Sequence, residues 1–344
     1  MITIAIDAHG GYFPDELLTA VTKASMTREH DERSVYFILV GDENQLTQQL
    51  SHISHNPERL SVVHAPDLVE LGDAPLQASR DKPFNPVATA CKLVKDGHAD
   101  AVVSAGNPGI AVLAAKSHFE LIPGIQRAAL AAVYPTPRRK NNARDPFSLL
   151  LDVGASVRAS SDDLIGFAKM GAAYARQVSH NLTPRVALLS NSRERHVGPP
   201  NVLGAFDALD AIDGIEFIGC IEGHDIPRGA ADVIVCEGLV GDVTIKLLEG
   251  VGETAFDLAR TAYEDKFVYR QGLRLLSGGL RKIKRLIDYE EYGGAPLLGF
   301  ENLMILAHPR SRERALNNAI KLAIRNVRQD LTGELAKATS LPED

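Results

Sequence analysis

Short runs of β-branched and other apolar residues recur along the chain, and helix-length amphipathic segments separate many of them. The apolar runs predict strands over Ile2–Ile6, Val35–Val40, Leu60–His64, Ala101–Ser104, Ala129–Tyr134, Ser148–Leu151, Val186–Leu189, Ile215–Ile218, Val233–Cys236 and Leu303–Leu306. The intervening segments predict helices over Pro14–Arg28, Pro86–Lys95, Leu164–Val178, Val202–Ile212, Val243–Tyr263 and Arg310–Arg328. Because near-continuous apolar strands alternate with amphipathic helices, we expect an α/β protein whose mostly parallel sheet is covered by helices on both faces.

Length and charge limit the number of domains and the classes of protein to which this chain can belong. The 344 residues suffice for one large α/β domain or for two domains, and 37 Lys and Arg against 44 Asp and Glu disfavour a general nucleic-acid binder. The longest uncharged apolar stretch, Ala101–Ala115, is too short and too polar to span a membrane. The N-terminal MITIAID is typical of a strand rather than of a secretion signal, and the three cysteines are scattered. We therefore expect a cytoplasmic protein.

The loop Ser104–Gly109 follows a predicted strand and precedes a predicted helix. Asn107 is a good N-cap, and Pro108 suits the first helical position. Since ligands of such sheets bind beyond the carboxyl ends of the strands, and helix amides attract anions, the loop predicts a phosphate or carboxylate site. A purely structural turn explains the same glycines. The residues assigned to this anion site are Ser104, Gly106, Asn107 and Gly109.

Other loops after strands carry further candidates. In Cys236–Lys246 we expect Asp242 to cap the next helix and Lys246, one turn later, to attract an anion, although a plain helix start is the alternative. His308 follows the last predicted strand, at the sheet edge where we expect the other loops, and is either structural or catalytic. The remaining loop residues assigned to the site are Asp7, Gly10, Gly11, Arg80, Lys82, Asp152, Gly154 and Gly241. No nucleotide-binding, hydrolase or zinc-protease motif is present, and we assign no metal and no cofactor.

One segment is strongly basic, although the chain as a whole carries a net negative charge. Between Lys266 and Arg285 there are basic residues and no acidic one, interleaved with apolar residues and interrupted at Ser277–Gly279. This pattern predicts an amphipathic helical hairpin that meets an anionic lipid surface or an acidic protein, or else a solvated face near an oligomer interface. The basic residues are Lys266, Arg270, Arg274, Arg281, Lys282, Lys284 and Arg285.

Taken in order, these segments resemble the bacterial phosphate acyltransferase family, PlsX. The matching segments are DAHGG at Asp7, HADAVVSAGNPG at His98, LLLDVGAS at Leu149, GFAKMGAAYA at Gly166, PRVALL at Pro184, ADVIVCEGLVGDVTIKLLEGV at Ala231, YGGAPLLG at Tyr292 and ILAH at Ile305. The resemblance implies transfer of an acyl group from acyl carrier protein to inorganic phosphate for phospholipid synthesis. It also implies a three-layer Rossmann-like sandwich akin to the isocitrate dehydrogenase and phosphotransacetylase folds, a homodimer and peripheral membrane association. We accordingly expect one α/β domain over residues 1–344 with a basic helical extension at about 253–292.

For such a reaction the phosphate is itself the nucleophile, so the protein has to hold the dianion, stabilise the oxyanion and help the thiolate leave. We assign charge neutralisation to Lys246 and general-acid catalysis toward sulfur to His308. The loop amides of the anion site would bind phosphate, and Arg80 and Lys82 would add positive charge.

Several loops depart from the family pattern. The departures are Tyr12 for Asp, Pro108 for Thr, Ser156 for Asn, Glu237 for Asp, Leu239 for Phe, Asp242 for Asn, Pro309 for Gly, and Ser190–Arg195 in place of an acidic run. Two other hypotheses therefore stay open. One is an acyltransferase of the same fold with another thioester donor or acceptor, such as a coenzyme A thioester in a specialised pathway. The other is a catalytically weak scaffold that binds carrier protein or membrane.

Overall fold

The computed structural model describes residues 1–27, 35–136, 147–212, 215–287 and 293–339, with the backbone alone described over 281–287. Its strands are β1 Ile2–Asp7, β2 Val35–Gly41, β3 Leu60–His64, β4 Ala101–Ser104, β5 Ala129–Pro135, β6 Phe147–Leu151, β7 Arg185–Leu189, β8 Glu216–Ile221, β9 Val233–Val235, β10 Ala295–Leu298 and β11 Leu303–Leu306. Its α-helices are α1 Pro14–Met26, α2 Glu43–Leu50, α3 Pro75–Asp81, α4 Pro86–Lys95, α5 Pro108–His118, α6 Ser161–Val178, α7 Pro200–Asp210, α8 Gly238–Asp265, α9 Phe267–Ile287, α10 Glu313–Arg328 and α11 Leu331–Thr339.

All eleven strands of the described chain join one sheet in the order β3-β2-β1-β4-β11-β10-β5-β6-β9-β7-β8. Strands β3, β2, β1, β4 and β11 are mutually parallel, as are β6, β9, β7 and β8. Between these sets, β10 is antiparallel to β11 and β5, and β5 is antiparallel to β6. The two parallel sets therefore run in opposite directions.

This topology corrects one expectation from the sequence. Loops after β1, β4 and β11 lie at one edge of the sheet, which we call the first edge. Loops after β6 and β9 lie at the opposite edge, the second edge, because those strands point the other way. The candidate loops are thus divided between two edges and are not gathered at one.

Two hydrophobic cores lie on the two faces of the sheet. Along β1, Ile4 and Ile6 face one core while Ala5 faces the other, as the alternation of a strand requires. The first core is closed by side chains of α1, α2, α6, α7, α10 and α11. The second core is closed by α3, α4 and α5, with Ile245 and Leu248 of α8 packed against it. The predicted mostly parallel sheet with helices on both faces is confirmed.

Several predicted elements are corrected. Strand β10 was not expected, because its four residues include Pro296 and follow Gly293 and Gly294. Helix α2 was missed because it buries only Leu46 and Leu50 in an otherwise polar sequence, and α3 and α11 are short. The expected break at Ser277–Gly279 is also wrong, because α9 is continuous through these residues and the chain turns at extended Lys266 instead. Arg28 and Tyr292 lie outside the described residues.

Candidate active site

A cavity of about 730 Å³ lies between α8 and the central strands β5 and β10. Tyr12 and His308 reach it from the first edge, and Gly154 and Ser156 reach it from the second. Helix α8 begins at the second edge, and Glu253, roughly 22 Å further along its axis, is close enough to influence the charge of His308. The cavity therefore spans the sheet and joins loops that the topology places at opposite edges.

Apolar side chains form much of the cavity wall. They come from β5, from the loop after β6, from α8 and from the region of β11. The larger ones are Leu130, Val133, Val153, Val157, Leu239, Ile245 and Leu306. The cavity thus offers an apolar surface to a bound ligand.

At the first edge, two buried polar side chains fix the loops after β1 and β4. Ser104 Oγ donates to Asp7 Oδ2 at 2.6 Å, and the Gly106 amide donates to Ser104 Oγ at 3.0 Å. Burial raises the pKa of the Asp7 carboxyl. A Cβ on Gly10 would lie 2.6 Å from the Gly106 nitrogen, so only glycine allows this close approach. Asp7, Gly10 and Ser104 thus support the site from outside the cavity.

Helix α5 begins as the sequence predicts, with Asn107 as N-cap and Pro108 as its first residue. Asn107 Oδ1 accepts from the amide of Gly109 at 2.9 Å and from that of Ile110 at 3.3 Å. The amides of Gly106 and Gly109 therefore already donate within the loop. Among these loop residues, Pro108 lines the cavity.

Arg80 and Lys82 are not brought to the cavity. Both lie at the end of α3, which packs against α5. Lys82 Nζ lies 2.7 Å from Asp73 Oδ2, and neither residue is among the described residues that line the cavity. Their proposed contribution to the charge of the site thus has no support in the described contacts.

At the second edge, Asp152 organises the loop after β6. Its carboxylate accepts from the amides of Leu130, Gly154, Ala155 and Ser156 at 2.7 to 3.0 Å. Burial nevertheless raises the pKa of the Asp152 carboxyl. Asp152 is fully buried, so its role is to hold Gly154 and Ser156 at the cavity wall.

Helix α8 packs very closely on this loop. A Cβ on Gly241 would lie 1.9 Å from the carbonyl oxygen of Asp152. Gly241 is therefore a close-packing residue. The prediction that Asp242 caps the helix is wrong, because α8 begins at Gly238 and Asp242 lies inside it. Asp242 instead forms an ion pair with Lys246, with 2.7 Å between its Oδ2 and Nζ.

Four charged residues of α8 line the cavity together. Asp242, Lys246, Glu249 and Glu253 are spaced by four, three and four residues, which places them on one face of the helix. Burial, with the Glu253 charge as the next cause, raises the pKa of Glu249 to about 7. We did not single out Glu249 or Glu253 from the sequence, although this spacing from Lys246 is a signal that would have identified them.

His308 enters the cavity from the loop after β11. Its Nδ1 accepts a hydrogen bond from the backbone N–H of Arg310 at 3.1 Å, so the proton of the neutral ring is on Nε2. Burial, followed by the positive charges of Arg310 and Lys246, lowers the pKa of the His308 imidazole. The neutral ring, with a donor Nε2–H, is thus the favoured form.

The cysteines are not arranged as nucleophiles. Cys91, Cys220 and Cys236 are all buried, and burial raises the pKa of each thiol. The Cys236 thiol donates to the carbonyl oxygen of Asp152 at 3.4 Å. Among the described residues there is also no group of three or more His, Cys, Asp or Glu side chains placed to hold a metal ion.

The predicted basic segment forms α9 and the turn before it. Lys266 Nζ lies 5.5 Å from the ring centre of Tyr269, Arg270 lies 5.6 Å from that of Tyr263, and Arg274 Nε donates to Tyr263 Oη at 3.1 Å. The side chains of Arg281, Lys282, Lys284 and Arg285 lie outside the described residues. No helix in the described part of the chain has the length and apolarity needed to cross a bilayer.

The fold is that of the phosphotransacylase class. A phosphotransacetylase from Streptococcus pyogenes matches with a TM-score of 0.59 and 16% identity, over 98% of this chain and 94% of that one. A branched-chain phosphotransacylase from Enterococcus faecalis matches with a TM-score of 0.56 and 16% identity, over 95% of this chain and 99% of that one. At this identity the likeness establishes the fold, which agrees with the fold expected from the sequence.

The sequence comparisons establish the family. The model described as "Fatty acid synthesis protein" matches residues 2–333. A phosphate acyltransferase of Moorella thermoacetica is 37% identical over 99% of this chain and 97% of its own length. A phosphate acyltransferase of Nitratidesulfovibrio vulgaris is 33% identical over 99% and 96%, respectively. The chain belongs to this family, and the resemblance to bacterial phosphate acyltransferases is confirmed.

Proposed function

We propose that this chain transfers the acyl group of an acyl carrier protein thioester to inorganic phosphate, producing acyl phosphate and a free thiol. Membership of the phosphate acyltransferase family supports this activity. The structural observation that carries it is that Lys246 and His308 line one cavity and share it with an apolar surface. These are the three features that a phosphate dianion, a developing oxyanion and an acyl chain require.

Lys246 attracts and holds the phosphate. Its side chain is about half exposed, so an anion that enters the cavity can reach the ammonium group. Asp242 orients this group across the face of α8 while leaving it accessible. The phosphate oxygen then attacks the thioester carbonyl directly, without a covalent enzyme intermediate, which accords with the buried cysteines.

His308 stabilises the oxyanion that forms in this attack. An imidazole with a lowered pKa carries little of the protonated form near neutral pH and is a weak proton donor. Its neutral Nε2–H is a good hydrogen-bond donor to negative oxygen, and the Arg310 amide fixes the ring in that tautomer. We therefore assign oxyanion stabilisation to His308 instead of the general-acid role expected from the sequence.

The sites at which this sequence departs from the family pattern favour a second candidate, an acyltransferase with an altered donor or acceptor. Six departures line the cavity, namely Tyr12, Pro108, Ser156, Leu239, Asp242 and Pro309. Because substitutions that touch the substrate change specificity most directly, a coenzyme A thioester is the alternative donor to compare.

The outer face of α8 supports a homodimer. Val240, Val243, Leu247, Val251 and Leu258 are spaced by three, four or seven residues and are between 42% and 66% exposed. Such a stripe on one helix face is typical of a surface covered by another helix. We propose that the stripe of a second copy covers it.

Helix α9 supports peripheral membrane contact. Val268, Leu275 and Leu276 lie on one face of the helix and are 62% to 89% exposed. Arg270 and Arg274 lie on the same helix, so burial at a lipid interface and attraction to anionic headgroups act together. We propose that α9 and the second half of α8 form the extension of a single α/β domain and bind an anionic bilayer.

Vesicle sedimentation tests the membrane proposal. We expect binding to anionic vesicles that falls with salt, and weak binding to neutral ones. Changing Leu275 and Leu276 to Ser, or Arg281, Lys282, Lys284 and Arg285 together to Gln, should release the protein. If the latter variant still sediments with vesicles but no longer uses a carrier-protein thioester, the basic segment is instead a docking site for the acidic carrier.

Trapping with hydroxylamine tests the main proposal. Because hydroxylamine also reacts slowly with the carrier-protein thioester itself, the enzyme-dependent rate of acyl hydroxamate formation is compared with and without phosphate. Purified protein should raise this rate only when phosphate is present, and a chelator should not change it. A coenzyme A thioester assayed in parallel distinguishes the two donors. If neither thioester gives phosphate-dependent hydroxamate above the rate without enzyme, the weak scaffold is the better explanation.

A further inference from the structure

We infer that Glu249 is the proton relay of the transfer, giving a proton to the departing sulfur and recovering one from the phosphate. This inference rests on the proposed function. It starts from the position of Glu249 on the cavity wall, one helical turn beyond Lys246. A carboxyl group so placed is next to the site where Lys246 holds the nucleophile.

The proton balance of the reaction requires such a group. When hydrogen phosphate dianion attacks the carbonyl carbon, a C–O bond forms and the C–S bond breaks, and the sulfur leaves with the electron pair. The acyl phosphate then carries the proton of the former hydrogen phosphate, while the sulfur needs one. A carboxylic acid that protonates sulfur and is reprotonated by the acyl phosphate closes this cycle without another reactant.

The surroundings of Glu249 keep the acid form available. On its own helix it faces Glu253, one turn further on, with Lys246 and Asp242 on the other side. Among the other described lining residues, Tyr12, His308 and Arg310 are titratable or charged, and Ser156 and Ser311 are polar. Burial and the two neighbouring carboxylates favour the protonated carboxyl, and Lys246 opposes them. The resulting pKa, about 7, suits a group that must both give and take a proton near neutral pH.

His308 does not supply this proton, since its pKa is lowered and its Nδ1 is occupied by the Arg310 amide. The buried thiols are also excluded, because Cys236 donates to a backbone carbonyl away from the cavity wall. Glu253 lines the cavity, but Glu249 is one turn nearer Lys246 along the helix. The geometry therefore favours Glu249 for the transfer and gives Glu253 the role of a positioning charge.

The test compares Glu249→Gln with a matched variant, Glu58→Gln, which changes an exposed glutamate in the loop before β3. Glu249→Gln should lower kcat for the carrier-protein thioester by about a hundredfold, with little change in KM for phosphate. The loss should shrink for a thioester whose thiol is more acidic, because that sulfur leaves without protonation. Glu58→Gln should behave as the wild type.

The pH profile of Glu253→Gln provides a readout that a structural role would not change. Removing the Glu253 charge lowers the pKa of Glu249, so the alkaline limb of the rate profile should move to lower pH by about half a unit or more. A Glu249→Gln variant with wild-type kcat would overturn the relay. If Glu249→Gln proves unstable, an alkaline limb that does not move in Glu253→Gln would overturn it instead. Failure of the wild type to form acyl phosphate would instead refute the proposed function.

Discussion

Lys246 Nζ lies 2.7 Å from Oδ2 of Asp242, one turn earlier in α8, so the cation assigned to phosphate binding is already partnered by an anion. Phosphate that enters the cavity therefore meets both an attractive and a repulsive charge. This pair was anticipated as two separate features, a helix cap and a phosphate ligand. The helix starts at Gly238, which places both residues on the cavity wall.

The first prediction concerns this repulsion. Asp242→Asn removes one negative charge from the cavity and keeps the size of the side chain, so KM for phosphate should fall about threefold to tenfold. The effect should be larger at low ionic strength, where charges are less screened. Asp257→Asn, on the same helix but outside the described cavity lining, is the control. An increase in KM would show that orientation of Lys246 outweighs the repulsion.

The second prediction concerns His308. Because its Nε2–H is assigned to the oxyanion, His308→Ala should lower kcat by about a hundredfold or more while KM for phosphate changes little. Thermal melts should hardly move, since the imidazole lies at the cavity wall. His52→Ala, at an exposed site, should match the wild type in both measurements. A large drop in melting temperature would mean that His308 is structural, and unchanged kcat would remove its catalytic role.

The third prediction concerns the buried Asp7. Burial raises the pKa of its carboxyl, so the folded state holds a proton that the unfolded state releases at lower pH. The contribution of Asp7 to stability is therefore greatest below about pH 4 and is lost as pH rises through the higher folded pKa. Relative to the wild type, Asp7→Asn should gain stability as pH rises over this range. Urea unfolding at several pH values measures this difference, and a constant difference would contradict the prediction.

The fourth prediction concerns the outer stripe of α8. Leu247→Glu places a charge in the centre of the proposed dimer contact and should convert a dimer to a monomer without unfolding it. Mass measurement by sedimentation or light scattering gives the result directly. Leu182→Glu, the same change at an exposed leucine outside α8, is the control. A wild-type protein that is monomeric at all concentrations would refute the dimer.

The sequence alone allowed much of this architecture to be predicted. Ten strands could be predicted because their apolar runs are nearly uninterrupted, whereas Ala295–Leu298 is short and follows two glycines with positive φ, Gly293 and Gly294. The start of α5 could be predicted because Asn107 and Pro108 are strong local signals. The start of α8 could not, because Glu237 makes no side-chain capping bond and the glycines after it are required by contact with Asp152 and Ser156, far away in sequence.

The site was predicted in part for a related reason. Lys246 and His308, both assigned to the site from the sequence, line one cavity, and their roles in the reaction stay predictions. The opposed directions of the two halves of the sheet depend on pairing among β11, β10, β5 and β6, which no local pattern encodes. Arg80 and Lys82 were assigned to the site for their charge, but the end of α3 lies outside the described cavity lining. Glu249 was overlooked, although its spacing from Lys246 is a local signal.

Phosphate as the acyl acceptor held by Lys246 is tested most directly by the phosphate dependence of thiol release from a carrier-protein thioester, measured for the wild type and for Lys246→Ala. We expect wild-type release to require phosphate and to saturate with it. Lys246→Ala should raise KM for phosphate at least about tenfold, as expected when a charge-assisted contact is lost. Lys169→Ala, on α6, should leave KM unchanged. Thiol release at the same rate with and without phosphate, or an unaltered KM in Lys246→Ala, would contradict the account.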